Sequence, residues 1–373
     1  MNHPVSRISD MPGKYRVAPK EDQLISRHKY HTLDGIRGVA ALLIVLRHTG
    51  SYFGGFTFAE SYLAVDLFFV LSGFVIAEAY NKRIAGGMTP LEFMRIRLIR
   101  LYPLYLLGAI LGVVHAVATM LFGSNSGNWQ GLDLITAALF AILMLPSLAT
   151  PMLYPINAPS WSLLFELFSN WLYAIFFPLL TTGRLLIVVA ISAIALSVFV
   201  NKTGNLDAGF YWDDFAVGIP RVLYSFGAGL LVHKFRNSFK VRIPSWILMT
   251  LVFALLCLEP PAQIRPWFDI VAVTILFPAI VYLASATEPK SALASKCYAI
   301  LGLTSYAIYV LHVPLSKLMA SLVTRGTTYQ VEQFAPYSGV VLLFALVLFS
   351  WWIDRHYDQP TRRIATKYFS KPH

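Results

Sequence analysis

The chain has 373 residues and a net charge of +11, with 57% hydrophobic and only 13% charged residues. A soluble domain carries about 25% charged residues, so this composition excludes an ordinary soluble enzyme and predicts an all-α polytopic membrane protein. The excess of basic residues does not indicate nucleic-acid binding, because Lys and Arg lie in short clusters between apolar runs, as topology signals do. The sequence has no metal-ligand spacing and no nucleotide-binding loop, so we expect no metal.

The first 31 residues are polar and basic, and we expect residues 1–31 to form a disordered cytoplasmic tail. A transmembrane domain is predicted for residues 32–356, followed by a cytoplasmic C-terminal tail at 357–373.

Eleven apolar runs are candidate membrane spans, at roughly 35–53, 62–80, 99–121, 132–148, 160–180, 184–200, 215–233, 244–259, 267–285, 297–316 and 336–353. If 132–148 crossed the membrane fully, the basic loop 234–242 and the basic C-terminus would both fall outside, against the positive-inside rule. Without that crossing, most of the 30 Lys and Arg residues lie inside. We therefore predict about ten spans, cytoplasmic termini, and an outer-face or re-entrant segment at 122–160.

The first predicted span, LDGIRGVAALLIVLRH, carries Arg37 and His48 eleven residues apart. Eleven residues make about three helical turns, so both side chains project from one face about 16 Å apart. Arg37 is predicted at the inner boundary and His48 beyond the midplane. The alternative is a snorkelling Arg and a structurally hydrogen-bonded His. Arg47 adds a cation that needs a partner, a cavity or the outer interface.

Further ionisable groups are predicted in the outer half of the membrane: Asp66, Glu166 and His312, with Tyr309 one turn from His312. A histidine beside a carboxylate suits general-base catalysis, because the carboxylate fixes the tautomer and stabilises the imidazolium. The alternative for each of these residues is a buried structural hydrogen bond.

Near the inner face, the run MRIRLIRLYP contains Arg95, Arg97 and Arg100. Three arginines suit a grip on phosphate groups, although the run also fits a positive-inside anchor. Nearby, Ser72 and Gly73 in FFVLSGF are interpreted as a close helix-packing point rather than a nucleophile.

These motifs, with PSWSLLFELF and SYAIYVLH, resemble the acyltransferase-3 family of membrane acyltransferases over about residues 30–365. The resemblance implies transfer of an acyl group, usually from acetyl-CoA, to a hydroxyl of an extracytoplasmic or lipid-linked glycan. It implies that His48 is the catalytic base, that Arg37 is needed beside it, and that Arg97 and Arg100 hold the CoA phosphates. Asp358 stands where Glu is more usual in the family, and we leave it out of the predicted site.

The complete predicted site has three groups: catalytic His48, Arg37, Asp66 and Glu166; cofactor-binding Arg95, Arg97 and Arg100; and substrate-binding Tyr309, His312 and Trp161. The expected location is the bacterial cytoplasmic (inner) membrane, with lipid, acyl-CoA, a polysaccharide acceptor, and a homo-oligomer or polysaccharide-export proteins as partners. Two other hypotheses are a secondary transporter and a non-enzymatic protein that presents glycan. An acyl-His48 intermediate is an alternative to direct transfer.

Overall fold

The computed structural model describes residues 30–122, 129–238 and 241–369, so most of the predicted N-terminal tail lies outside it. The described residues form a helical bundle whose β structure is one isolated bridge between Met152 and Tyr211. The all-α polytopic fold is thus confirmed. Its helices are α1 (His31–His48), α2 (Ala64–Ala85), α3 (Pro90–Phe122), α4 (Gly131–Ile142), α5 (Trp161–Phe176), α6 (Thr182–Thr203), α7 (Phe215–Phe235), α8 (Ser245–Cys257), α9 (Arg265–Val271), α10 (Phe277–Ser285), α11 (Ala292–Gly326), α12 (Tyr337–Ile353) and α13 (Gln359–Phe369).

Eight helical stretches among the described residues are long and apolar enough to span a membrane, and they contain α2, α3, α5, α6, α7, α9 with α10, α11, and α12 with α13. The stretch of α9 and α10 is continuous through a π turn at Ala272–Leu276. Helix α1 has 18 residues but carries Asp34, Arg37 and Arg47, and α8 is apolar but only 13 residues long. With these two, the helices correspond to the ten predicted spans, while the sidedness of the chain stays a prediction.

The segment predicted to lie outside the set of full spans contains α4, which has 12 residues and is therefore only about 18 Å long. Its last turn packs beside the first half of α3: the hydroxyl of Tyr105 donates to the carbonyl of Ala141 at 2.6 Å, and that of Tyr102 to Ile142 at 2.8 Å. Because α4 starts nine residues after α3 ends and turns back halfway along it, the segment has a re-entrant shape.

Glycine allows α1 and α11 to cross closely. A Cβ on Gly38 would overlap Leu301, and one on Gly302 would overlap Asp34. The start of α1 is fixed by Thr32, whose hydroxyl donates to the carbonyl of Thr287 at 2.5 Å. This crossing aligns the face of α1 that bears Arg37 and His48 with α11.

The predicted packing point at Ser72 and Gly73 lies where α2 meets α7. A Cβ on Gly73 would overlap the backbone at Phe226, and one on Gly229 would overlap the backbone at Val70. The two backbones therefore touch, as small residues permit in membrane helices.

The predicted C-terminal tail begins within a π turn at Asp354–Asp358, which leads into α13. Helix α13 packs against α3, so residues 359–369 are an ordered helical extension of the bundle. Residues 370–373 lie outside the described part of the chain, and the cytoplasmic placement stays a prediction.

Candidate active site

A cavity of about 210 Å³ lies among α1, α2, α3, α5 and α11. Arg37, Arg97 and Arg100 line it, and so do Ser162 and Tyr309. The tertiary structure therefore brings the arginine of the first helix next to the arginine pair of the third helix. The sequence predicted all three near the inner face.

Glu166 lies in this cavity as the ion-pair partner of Arg97, with 2.7 Å between carboxylate and guanidinium. The hydroxyl of Ser72 donates to the same carboxylate oxygen at 3.1 Å. The predicted position of Glu166 beside His48 is wrong. Helix α5 begins at Trp161, after the re-entrant segment. On this helix the side chain of Glu166 faces α3, where it accepts a hydrogen bond from Arg97.

The other two arginines of the cavity also have carboxylate partners. Arg37 is paired with Asp34 one turn earlier on α1. Arg100 lies 3.6 Å from Asp358 and stacks over the ring of Tyr306 at 5.6 Å. Asp358 is not part of the site predicted from the sequence, whereas the structure places it beside a cavity arginine. An acid among the basic residues at the end of the last apolar run was the signal in favour of including it.

Each cavity arginine nevertheless keeps a buried N–H group without a hydrogen-bond acceptor among the described residues: Nε of Arg37, Nε of Arg97 and Nη1 of Arg100. Buried polar groups are normally hydrogen-bonded, so three arginines that line one cavity and keep unpaired N–H groups are suited to anionic oxygens.

Arg95 does not belong to this group. Its guanidinium donates to the carbonyl of Phe369 at 3.2 Å and stacks over that residue's ring. The predicted membership of Arg95 in the phosphate site is not supported by this geometry, because Arg95 faces α13 while Arg97 and Arg100 face the cavity.

His48 lies at the far end of α1, and its side chain is exposed. Its ring packs against that of His312, with centroids 5.1 Å apart. His312 is fully buried and in turn lies beside the ring of Tyr309, 6.3 Å away. The row Tyr309, His312, His48 therefore connects the cavity with the exposed end of α1, although neither histidine lines the cavity itself.

Tyr309 and Trp161 have structural partners. The hydroxyl of Tyr309 lies 2.7 Å from that of Ser162 and donates to the carbonyl of Pro159 at 2.9 Å. Trp161 is 8% exposed, and the guanidinium of Arg221 lies 5.2 Å from its ring centre. This geometry gives Trp161 a cation–π contact rather than an open stacking surface for a sugar.

Asp66 does not contact His48. It pairs with Arg221 of α7 through two hydrogen bonds, at 2.5 and 3.2 Å, and both side chains are almost fully buried. The expected support of His48 by Asp66 is thus not what the structure shows. Arg221 was missed, although a lone arginine within the apolar run 215–233 was a visible signal.

Arg47 has the partner that its position required. Its guanidinium donates to the carboxylate of Asp207 at 2.5 Å and to the carbonyl of Ala59 at 2.7 Å. It also lies over the ring of Tyr62. This network connects the loops around the exposed end of α1 and includes no hydrogen bond to His48.

A family model described as an acyltransferase domain matches residues 30–355. The chain is 40% identical over 183 residues to "Protein 2 in picA locus" of Rhizobium radiobacter, a match that covers 46% of this chain and 94% of that protein. It is 27% identical over 204 residues to the exopolysaccharide production protein ExoZ of Rhizobium meliloti, covering 54% and 58%. Over 92 residues it is 33% identical to BcsY of Komagataeibacter xylinus, named as a candidate membrane-bound transacylase, covering 25% and 22%.

No solved structure matches the chain significantly. The family match covers most of the sequence, including both helices that carry the histidine pair and all three cavity arginines. The chain is therefore a multi-pass membrane protein that belongs to the acyltransferase-3 family.

Proposed function

We propose that this protein is a membrane O-acyltransferase that moves an acyl group, in the first instance acetyl, from cytosolic acyl-CoA to a hydroxyl of a glycan. Arg37, Arg97 and Arg100 would bind the CoA phosphates, and His48 would be the general base.

The observation that carries this proposal is that three arginines line one cavity and that each keeps a buried N–H group without a hydrogen-bond acceptor among the described residues. An arginine fork binds phosphate oxygens with short, charge-assisted bonds. The carboxylates of Asp34, Glu166 and Asp358 balance the arginines before the donor binds. Each guanidinium still has an N–H group that is not hydrogen-bonded to these carboxylates.

The distance along α1 fits a donor that binds at one end and reacts at the other. Arg37 and His48 are about 16 Å apart along the helix, and the pantetheine arm of CoA is the flexible part of the donor that would cover this distance. Phe68 and Tyr309, whose rings pack edge to face at 5.6 Å, both line the cavity. They form the wall that the thioester has to pass.

The proposed transfer is direct. His48 takes the proton of the acceptor hydroxyl, whose oxygen attacks the thioester carbonyl. The carbon–sulfur bond then breaks, and the proton passes from His48 to the departing sulfur, which gives free CoA thiol and an O-acyl ester. General-base catalysis of this kind contributes about 10²–10⁴-fold.

A glycan acceptor is supported by the similarity to ExoZ, an exopolysaccharide production protein. We propose that the acceptor meets His48 on the outer side of the bacterial cytoplasmic membrane, free or linked to lipid. Polysaccharide-export proteins or a second copy of the chain would deliver it there.

The experiment is release of free thiol from acetyl-CoA by the purified protein, with a mixture of extracted glycans as acceptor. The wild type should release thiol and label the glycan, whereas His48→Ala should do neither while inserting and folding normally. His356→Ala is a matched control, because His356 is an exposed residue that stacks on Trp352 and lies outside the cavity. A wild type that releases no thiol, as a transporter or a glycan-presenting protein would behave, contradicts the proposal.

A further inference from the structure

The tautomer of His312 is fixed by its surroundings. Its Nδ1 lies 3.0 Å from the carbonyl oxygen of Ile308 and 2.9 Å from that of Tyr309. Carbonyl oxygens only accept hydrogen bonds, so Nδ1 must carry the ring proton. In the neutral ring, Nε2 then has a free lone pair, and this nitrogen points at His48.

The same reasoning applies to His48. Its Nδ1 lies 2.9 Å from the carbonyl oxygen of Ile44 and 3.3 Å from Nε2 of His312. Both neighbours are acceptors, so Nδ1 carries the proton and shares it between them. The lone pair of the His48 ring is therefore on Nε2, on an exposed side chain that an acceptor hydroxyl can reach.

We propose that His312 is a positioning residue for His48. Together with the carbonyl of Ile44, it holds the tautomer in which Nε2 of His48 is the base. It also accepts a stronger, charge-assisted bond from Nδ1 when His48 takes up the acceptor proton. The inference rests on the proposed function for its catalytic consequence, while the tautomers themselves follow from the carbonyl contacts.

His312 takes the orienting place beside His48 for which the sequence predicted a carboxylate. Asp66 is held by Arg221, and Glu166 by Arg97. His312 is fully buried, and a second positive charge facing a protonated His48 there would cost free energy. His312 therefore remains the neutral acceptor while the proton is carried by His48.

Two substitutions separate this role from mere packing. In His312→Gln the amide oxygen can still accept from Nδ1 of His48, whereas in His312→Leu only the carbonyl oxygen of Ile44 is left to accept. We expect kcat to fall about 10- to 100-fold in His312→Leu, the scale of loss known for removal of the partner that orients a metal-bound histidine, with an unchanged KM for acyl-CoA. His312→Gln should recover most of that kcat. A wild-type kcat in His312→Leu, equal losses in both variants, or an effect on KM alone would overturn the proposal.

Nitrogen-15 NMR of the histidine rings in detergent-solubilised protein tests the same proposal without any acyl transfer. We expect a protonated Nδ1 and an unprotonated Nε2 for both rings, with the signals assigned by their loss in His48→Ala and His312→Gln. In His312→Leu the Nδ1 signal of His48 should shift. A proton on Nε2 of either ring, or an unchanged His48 signal in His312→Leu, would overturn the positioning role. If the protein proved not to be an acyltransferase, these NMR signals would still be as expected, so the two proposals can fail separately.

Discussion

The guanidinium of Arg97 is held 2.7 Å from the carboxylate of Glu166, a residue 69 positions later in the chain. The contact joins α3 to α5 inside the cavity and leaves Nε of Arg97 without an acceptor in the part of the chain that the structure describes. It places a carboxylate next to the proposed phosphate site. Removing either the positive charge of Arg97 or the negative charge of Glu166 therefore tests how that site binds the donor.

Replacing Arg97 with Ala should raise the KM for acetyl-CoA about 10- to 100-fold, because a hydrogen bond to a charged group contributes about 1.5–3 kcal/mol. Arg95→Ala is the control, since Arg95 lies on the same helix but contacts Phe369, and its KM should stay within about twofold of the wild type. Steady-state kinetics with varied acetyl-CoA measures both. Equal effects of the two substitutions would contradict the assignment of the phosphate site.

Replacing Glu166 with Gln should lower the KM for acetyl-CoA, because it removes a negative charge beside the bound phosphates. The value of kcat should stay within about threefold of the wild type, well short of the 10²–10⁴-fold that loss of general-base support would bring. A fall in kcat of about 10²-fold at unchanged KM would show that Glu166 is a catalytic residue, as predicted from the sequence.

Removing part of the aromatic wall formed by Phe68 and Tyr309 should uncouple thioester cleavage from transfer to the glycan. In Phe68→Ala we expect several-fold faster hydrolysis of acetyl-CoA without acceptor, because water would gain access to the thioester. Thiol release in the absence of glycan is the measurement. Phe349→Ala, which changes a residue that stacks on Trp352 outside the cavity, should leave this background rate unchanged.

Breaking the buried pair of Asp66 and Arg221 should destabilise the fold strongly. Asp66→Asn leaves the Arg221 cation buried without its counter-ion, which typically costs about 3–5 kcal/mol. Asp207→Asn, which breaks the part-exposed pair with Arg47, should cost about 1 kcal/mol or less. Thermal unfolding in detergent compares the two, and a similar Tm for both variants would show that the buried pair contributes no more than the exposed one.

Stability should depend on pH through Glu288, which lies between α10 and α11 and accepts a hydrogen bond from the backbone of His31. Partial burial, with a further contribution from the nearby charge of Asp34, raises the pKa of Glu288 to about 7 from its usual 4.5. The folded protein therefore holds this proton more tightly than the unfolded chain. The stability from this group is complete below pH 4.5 and is lost as the pH rises through 7.

Glu288→Gln should accordingly remove that part of the fall in Tm between pH 4.5 and 7. The comparison is thermal unfolding of wild type and variant across this range. Parallel Tm curves for the two proteins would show that Glu288 does not titrate in this way.

The sequence alone predicted the class of the protein and the helix face that Arg37 and His48 share. Apolar runs and the distribution of Lys and Arg predicted the helical bundle, because the membrane requires long apolar helices and biases basic loops inward. Helical periodicity placed Arg37 and His48 on one face, since that depends only on the geometry of a single helix. The resemblance to a family then named a reaction.

Only the tertiary structure decided which groups are partners. The carboxylates expected beside His48 are instead held by Arg97 and Arg221, and the neighbour of His48 is His312, 264 residues away. Such pairs depend on how helices cross, and the crossing of α1 with α11 is set by the close contact of Gly38 with Leu301. The face of a helix on which a side chain lies can be read from the sequence, but its neighbour across the bundle depends on the packing of all the helices between them.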